Sequence, residues 1–262
     1  MLNRLIGKFQ RFYAFDELLK LLILRDIKLK YRRSYLGYVW SILNPLLLML
    51  VLVLVFSNLF RFNIPNFPLY LISGQVIFHF MVEATNMAVG SIRGNAALIK
   101  KTYVPKYIFT LSKVGSSLVN LLFSLSALLL VMIYTRADFS WNLLFFPVII
   151  FQVFMFALGL SLFLAAATVF FRDIQYLWTV VISMWTYLTP LFYPASIIPE
   201  KYQPIYKLNP MYWYIEQFRD IVLYAKFPSL NSILIGCIVS ILVLCLGAFY
   251  FNKKQDEFIL YI

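Results

Sequence analysis

The chain has 262 residues, 62% of them hydrophobic and only 13% charged, with a net charge of +12. A water-soluble domain of this composition could not cover its own core, so the composition indicates a polytopic membrane protein. The basic residues gather between long apolar runs, which directs the positive charge toward membrane topology and anionic lipid rather than nucleic acid.

Residues 15–31 (FDELLKLLILRDIKLKY) predict a helix too charged to span a membrane. Leu19, Ile23, Ile27 and Tyr31 recur every four residues, and Arg25, Lys28 and Arg32 follow a second stripe. That is the pattern of an amphipathic helix lying in the membrane interface. The plain alternative is a solvated helix that only sets topology. The first 35 residues carry too much charge for a cleavable signal peptide and are expected to stay.

Residues 34–42 lead in through Gly37, Tyr38 and Trp40, rings suited to the headgroup level. Six spans are then predicted, at about 40–60, 67–89, 107–134, 141–171, 176–191 and 233–251. A crossing requires roughly 18–20 residues, and only the fifth is marginal. It ends where Pro190, Pro194, Pro199, Pro204 and Pro210 interrupt an aromatic stretch, residues 188–224. Proline removes a donor and clashes with the preceding turn, so no straight helix crosses there. Broken apolar backbone near a membrane is tolerated only where protein or a water-filled cavity satisfies it. Two short re-entrant helices, near 192–198 and 210–223, are therefore expected to frame the exit of a path. Packing of an outer rim is the alternative.

Charge between the spans gives orientation. Residues 1–33 hold nine Lys and Arg, and 93–113 hold five: Arg93, Lys100, Lys101, Lys106 and Lys113. The loops on the other side hold Arg61 and Arg136. This asymmetry places both termini and the 93–113 segment in the cytoplasm and the broken stretch outside.

Residues 94–102 (GNAALIKKT) fail as a phosphate loop, because Ile99 stands where the second glycine belongs. There is one histidine, His79, and no catalytic motif or metal ligand set. Cys237 and Cys245 lie in one apolar run and are expected to be small core residues. In span two, Gln75, His79, Glu83, Asn86, Gly90 and Arg93 share a helical face, which suits a pathway lining or hydrogen bonds between helices. In span three, Ser112, Ser116, Asn120 and Ser124 form a similar row, for which close helix packing is favoured. Tyr38, Trp40, Trp178, Trp185 and Tyr193 are candidates to stack on sugar rings, or ordinary interfacial belt residues.

Four segments together resemble the membrane subunits of ABC-2 type polysaccharide exporters, which serve O-antigen, capsule and teichoic acid. They are RDIKLKYRRSYLGYVWSILNP, GNAALIKKTYVPKYIF, FFRDI and LNPMYWYIEQFRD. The resemblance covers nearly the whole chain, in order. It implies an all-α membrane fold: a cytoplasmic N-terminus with an interface helix over 1–34, then a six-helix domain over 35–262. That domain includes a coupling loop over 93–106 and an external re-entrant region over 192–224. It implies a homodimer in the bacterial inner membrane, exporting a lipid-linked glycan. Two copies of a separate nucleotide-binding subunit hold ATP and magnesium, so this chain is no enzyme. Asn95, Lys100, Lys101, Tyr103 and Pro105, with Arg172 and Asp173, match the ATPase contacts. Arg25, Lys28, Arg32 and Arg33 form the expected substrate entrance. Tyr38, Trp40, His79, Glu83, Trp178, Trp185 and Tyr193 are the expected channel lining. An exporter of a drug or small lipid shares the fold, and a membrane enzyme acting on lipid-linked sugars is a further alternative.

Overall fold

The computed structural model describes residues 15–32, 34–59 and 64–262, and every regular element in them is helical. In chain order these are α1 (Asp16–Tyr31), α2 (Trp40–Leu59), α3 (Phe67–Val89), α4 (Ala96–Lys101), α5 (Tyr107–Tyr134), α6 (Phe146–Phe170), α7 (Ile174–Leu188), α8 (Gln203–Lys207), α9 (Pro210–Val222), α10 (Leu230–Lys254) and α11 (Phe258–Tyr261).

Local chemistry sets several starts. Asn66 and Asn209 accept backbone N–H bonds from Leu69 and Met211, each followed by a proline in the first turn. Ser229 does the same for Ser232. A side-chain oxygen at this position satisfies an orphan helix donor, and proline there sacrifices no bond.

Among the described residues, five stretches are long and apolar enough to cross a membrane: Gly37–Phe56, Phe67–Val89, Tyr107–Tyr134, Trp141–Phe170 and Leu230–Tyr261. Six were expected. The missing one is α7, whose 15 residues extend roughly 22 Å at helical rise, against about 30 Å of hydrocarbon. Thr189, which precedes Pro190, is already extended with ψ 132°, as the proline ring demands of its predecessor.

The broken stretch also differs from expectation. Residues 192–198 form no α-helix. They hold a 3₁₀ turn at Ala195–Ile197, followed by another at Glu200–Tyr202 and the short α8. Pro194, Pro199 and Pro204 leave too few consecutive donors for more. The second expected helix is present as α9.

Helix α3 is the hub and packs on α2, α5, α6 and α9. The core it anchors includes Leu69, Ile77 and Met81 of α3, Phe156 of α6, and Tyr214 and Phe218 of α9. α6 and α10 make the most extensive pair. A Cβ added at Gly159 would lie 2.5 Å from the backbone of Leu244, and one at Gly247 would overlap the Gly159 carbonyl. Only hydrogens let these backbones meet. A second core, with Leu22, Ile99, Phe109 and Phe258, closes the end holding α1, α4 and α11. Arg25, Lys100, Lys101, Lys106, Lys113 and Lys254 belong to elements at this end.

Candidate functional site: a polar recess between four helices

A cavity of about 380 Å³ lies behind α2 and α7. Its floor is α3 and α5, through Gln75, His79, Glu83, Asn120 and Ser124. Trp40, Ser41, Asn44 and Pro45 of α2 form one wall, and Ile182 and Thr186 of α7 the other. Lys30 and Tyr31 close the α1 end, while Leu191 and Phe192 close the other.

Pro45 lacks the N–H that would bond the Ser41 carbonyl. The α2 wall therefore presents polar groups at its first turns, where Ser41 and Asn44 face the cavity. On the floor, 3.6-residue periodicity places Gln75, His79 and Glu83 on one face.

The recess contains a charged network. Lys30 Nζ donates to Glu83 Oε1 at 2.5 Å, and Asn120 Nδ2 donates to the same oxygen at 2.8 Å. Tyr31 Oη donates to Asn120 Oδ1 at 3.3 Å and also meets the Ser41 hydroxyl. Each ionised group thus has an opposite charge or an amide beside it, which a charge at membrane depth requires. His79 stands exposed to the recess despite its place in a mostly buried helix. Gln75 Oε1 is buried without a partner among the described residues, an uncommon condition for a polar atom. Neutralised charge, amides, hydroxyls and flanking rings (Trp40, Tyr31, Phe78, Phe192) suit a polyol: rings cover the apolar face of a sugar and amides bind its hydroxyls.

The expected site residues distribute as follows. Trp40, His79 and Glu83 line the recess. Tyr38 lies beside it, its ring 4.9 Å from Tyr31 and 5.9 Å from Phe123. Trp178 and Trp185, expected as lining, sit elsewhere. Trp178 is buried and donates to Thr85 Oγ1 at 3.2 Å. Trp185 donates to Asn209 Oδ1 at 2.7 Å and packs edge-on against Phe156. In both, the indole N–H takes an acceptor within the chain. Tyr193 is part of the broken stretch, donating to the Tyr187 carbonyl at 2.8 Å. Of the polar row on span two, Asn86 is exposed outside the recess, and Arg93 bonds the Thr168 carbonyl of α6 at 2.7 Å. Of the serine row, Ser112 and Ser116 bond local backbone, while Asn120 and Ser124 reach the recess.

Of the expected entrance, Arg25 and Lys28 lie exposed on α1 and Arg32 at its C-cap. Arg25 turns toward Asn95, at 3.4 Å, and toward Asp26, at 3.2 Å. Arg33 lies outside the described residues. The cation at the recess is Lys30, which the stripe of Arg25, Lys28 and Arg32 passes over.

The expected coupling residues fall at the basic end. Lys100, Lys101 and Tyr103 are exposed, Tyr103 at 95%. Pro105 is half-buried, and Asn95 is buried with its amide donating to the Ser91 carbonyl at 2.8 Å. Arg172 and Asp173 are exposed in the turn that follows α6. Thr168 joins that end of α6 to α3, donating to the Val89 carbonyl at 2.8 Å.

Arg219 of α9 is 6% exposed. Its guanidinium donates to the carbonyls of Pro190 (2.9 Å), Leu191 (3.1 Å) and Tyr70 (3.3 Å) and lies 3.5 Å from the Tyr70 ring centroid. The Tyr70 hydroxyl continues the tie to the Tyr193 carbonyl at 2.8 Å. Gly74 leaves the space, since a Cβ there would sit 2.7 Å from Nη2. A guanidinium stays charged when buried, so three carbonyls and a ring face hold it in place of water.

Residues 17–223 match a family model described as ABC-2 type transporter. The chain is 31% identical to the O-antigen export system permease protein RfbA of Myxococcus xanthus, over 94% of this chain and 95% of that one. It is 30% identical to the protein of the same name from Klebsiella pneumoniae, over 96% of each. It is 26% identical to the capsule polysaccharide export inner-membrane protein CtrC of Neisseria meningitidis, over 76% of each.

Proposed function

Because this chain belongs to the ABC-2 type transporter family, we propose that it is the membrane permease of an ATP-driven polysaccharide exporter, moving a lipid-linked glycan outward through the bacterial inner membrane. The names of its relatives, O-antigen and capsule export proteins, point to those two glycans first. Teichoic acid is a third of the same chemistry. The observation that carries the reading is the recess, whose charge-balanced and ring-flanked lining suits a polyol more than an ion or an apolar drug.

The working unit is a homodimer. α2 and α7 support this, because both leave apolar side chains exposed in one copy, among them Leu47, Val51, Val180 and Met184. A second copy on these faces turns two recesses toward one shared path. α7 then completes a sixth crossing together with the chain after Pro190, and α8 and α9 dip back into the outer leaflet. Both termini and the basic end are cytoplasmic, in line with the excess of Lys and Arg there. Two ATP-hydrolysing subunits, which hold the nucleotide and magnesium, dock on α4 through Lys100, Lys101 and Tyr103 and on the turn at Arg172 and Asp173. The transport subunit has no catalytic task of its own.

The test is deletion of the gene in its host. Surface polysaccharide is expected to disappear while lipid-linked glycan accumulates inside, and a plasmid copy restores both. Unchanged surface polysaccharide in the deletion strain contradicts the proposal.

A further inference from the structure

Helix α1 carries two polar ties on one face, one turn apart. Asp26 and Lys30 are four residues apart, so their side chains stand on the same side, roughly 6 Å apart along the axis. At the first tie, Lys113 of α5 donates to Asp26 Oδ2 at 2.8 Å. Arg25 donates to Asp26 Oδ1 at 3.2 Å and reaches Asn95 Oδ1 at 3.4 Å. Asn95 is the residue from which α4 begins. At the second tie, Lys30 meets Glu83 on the recess floor at 2.5 Å. One rigid helix therefore connects the start of α4 to the recess.

The two ties differ in strength. The Asp26 side chain is 4% exposed and that of Lys113 18%. Separating them breaks a buried ion pair and leaves Asp26 with Arg25 alone, which is costly. The Lys30 side chain is 42% exposed and that of Glu83 14%. This pair is less buried than the first, so it is the easier of the two to separate. Asn120 donates to the same Glu83 oxygen at 2.8 Å and keeps the carboxylate hydrogen-bonded when Lys30 leaves. The first tie is a pivot and the second is a release.

We propose that Lys30 and Glu83 form a latch that must open in each export cycle, with α1 carrying movement between α4 and the recess about Asp26–Lys113. The proposal rests on reading the recess as part of the glycan path and α4 as the docking site of the ATPase. Closed, the latch holds the ammonium over the floor carboxylate and narrows the recess at its α1 end. Open, it frees an ammonium and a carboxylate to meet glycan hydroxyls. Lys30 and Glu83 are thus positioning residues at the recess, and a tie that only braced the fold would tolerate being held closed.

The test uses that distinction. Lys30→Cys and Glu83→Cys are introduced together with Cys237→Ala and Cys245→Ala, and the chain is expressed in its deletion host. A membrane-permeant, reducible bis-thiol linker then joins the pair in living cells. Newly displayed polysaccharide per membrane-inserted chain is expected to fall at least about fivefold, the lower end of measured site-to-site couplings, and to recover with reductant. Linked protein that exports like unlinked protein overturns the latch. If the double-cysteine chain fails to accumulate, charge reversal decides. Lys30→Glu and Glu83→Lys are each expected to lower export and their combination to restore it, whereas a combination as poor as the single variants contradicts the proposal. A deletion host that still displays polysaccharide without any copy refutes the exporter reading instead, so the two failures are separable.

Discussion

The α6–α10 pair and the α2–α7 pair are built from similar apolar residues and behave in opposite ways. α6 and α10 meet backbone to backbone through Gly159 and Gly247. α2 and α7 lie at the rim of the bundle, α2 packed on α3 and α5, with no residue of the apolar window of α2 buried and Trp178 the one buried residue of α7. Lipid tails are as apolar as leucine, so hydrophobicity alone drives no association inside a membrane, and close fit must do it. α6 and α10 have that fit within one copy and form a scaffold. α2 and α7 lack it and carry the recess between them, and theirs are the faces that the proposed second copy would cover.

The largest effect is expected where the scaffold is closest. Gly247→Leu forces a side chain into the Gly159 carbonyl. Such overpacking costs about 3 kcal/mol or more where backbone must shift. Membrane-inserted protein should fall to near zero on immunoblots, and normal accumulation would break the scaffold half of the comparison. Arg219→Met is the next largest, because it removes three bonds and leaves the Leu191 carbonyl without its side-chain donor, while Pro190 keeps the Tyr70 hydroxyl and Tyr70 the Ser73 hydroxyl. Each buried unpaired group costs about 1–3 kcal/mol. The detergent-solubilised protein is expected to unfold at lower temperature, and protease should cut between residues 189 and 209. Trp185→Phe removes a single bond to Asn209, worth about 1 kcal/mol, and a small drop in thermal midpoint is expected. The smallest stability effect belongs to Lys100→Ala with Lys101→Ala, both exposed. Folded protein should remain within about 0.5 kcal/mol of the parent, while glycan-stimulated ATP hydrolysis and export are lost together. Normal export by this double variant contradicts docking at α4.

Much of this contrast was legible in the sequence. Hydropathy and loop charge located four of the spans to within a few residues, and Pro190 marked where α7 stops. The Gln75, His79 and Glu83 row was visible as a polar face, because a helix repeats in sequence what it presents in space. Other features were not visible. Lys30, Asn120 and Ser41 join the recess only because α1, α5 and α2 converge there, and no spacing within one helix encodes that approach. Arg219 looked like surface charge, since its acceptors are backbone carbonyls more than two dozen residues away or farther, and carbonyls leave no mark in sequence. Gly159 is the one glycine of α6 and Gly247 is one of two in α10, and their pairing is tertiary. Trp178 and Trp185 lie outside the recess for a related reason: an indole suits a sugar contact or a protein acceptor equally until its neighbours are known.

Cysteine crosslinking between copies in native membranes addresses the contrast most directly. Met184 on α7 and Ile238 on α10 are both more than half exposed, at 53% and 61%. Each is replaced singly by cysteine, with Cys237→Ala and Cys245→Ala, and the membranes are oxidised. If α7 faces a second copy across the path and α10 faces lipid, Met184→Cys gives a dimer-sized band and Ile238→Cys stays monomeric. A dimer band from Ile238→Cys with none from Met184→Cys would contradict the assignment of α2 and α7 to the moving interface.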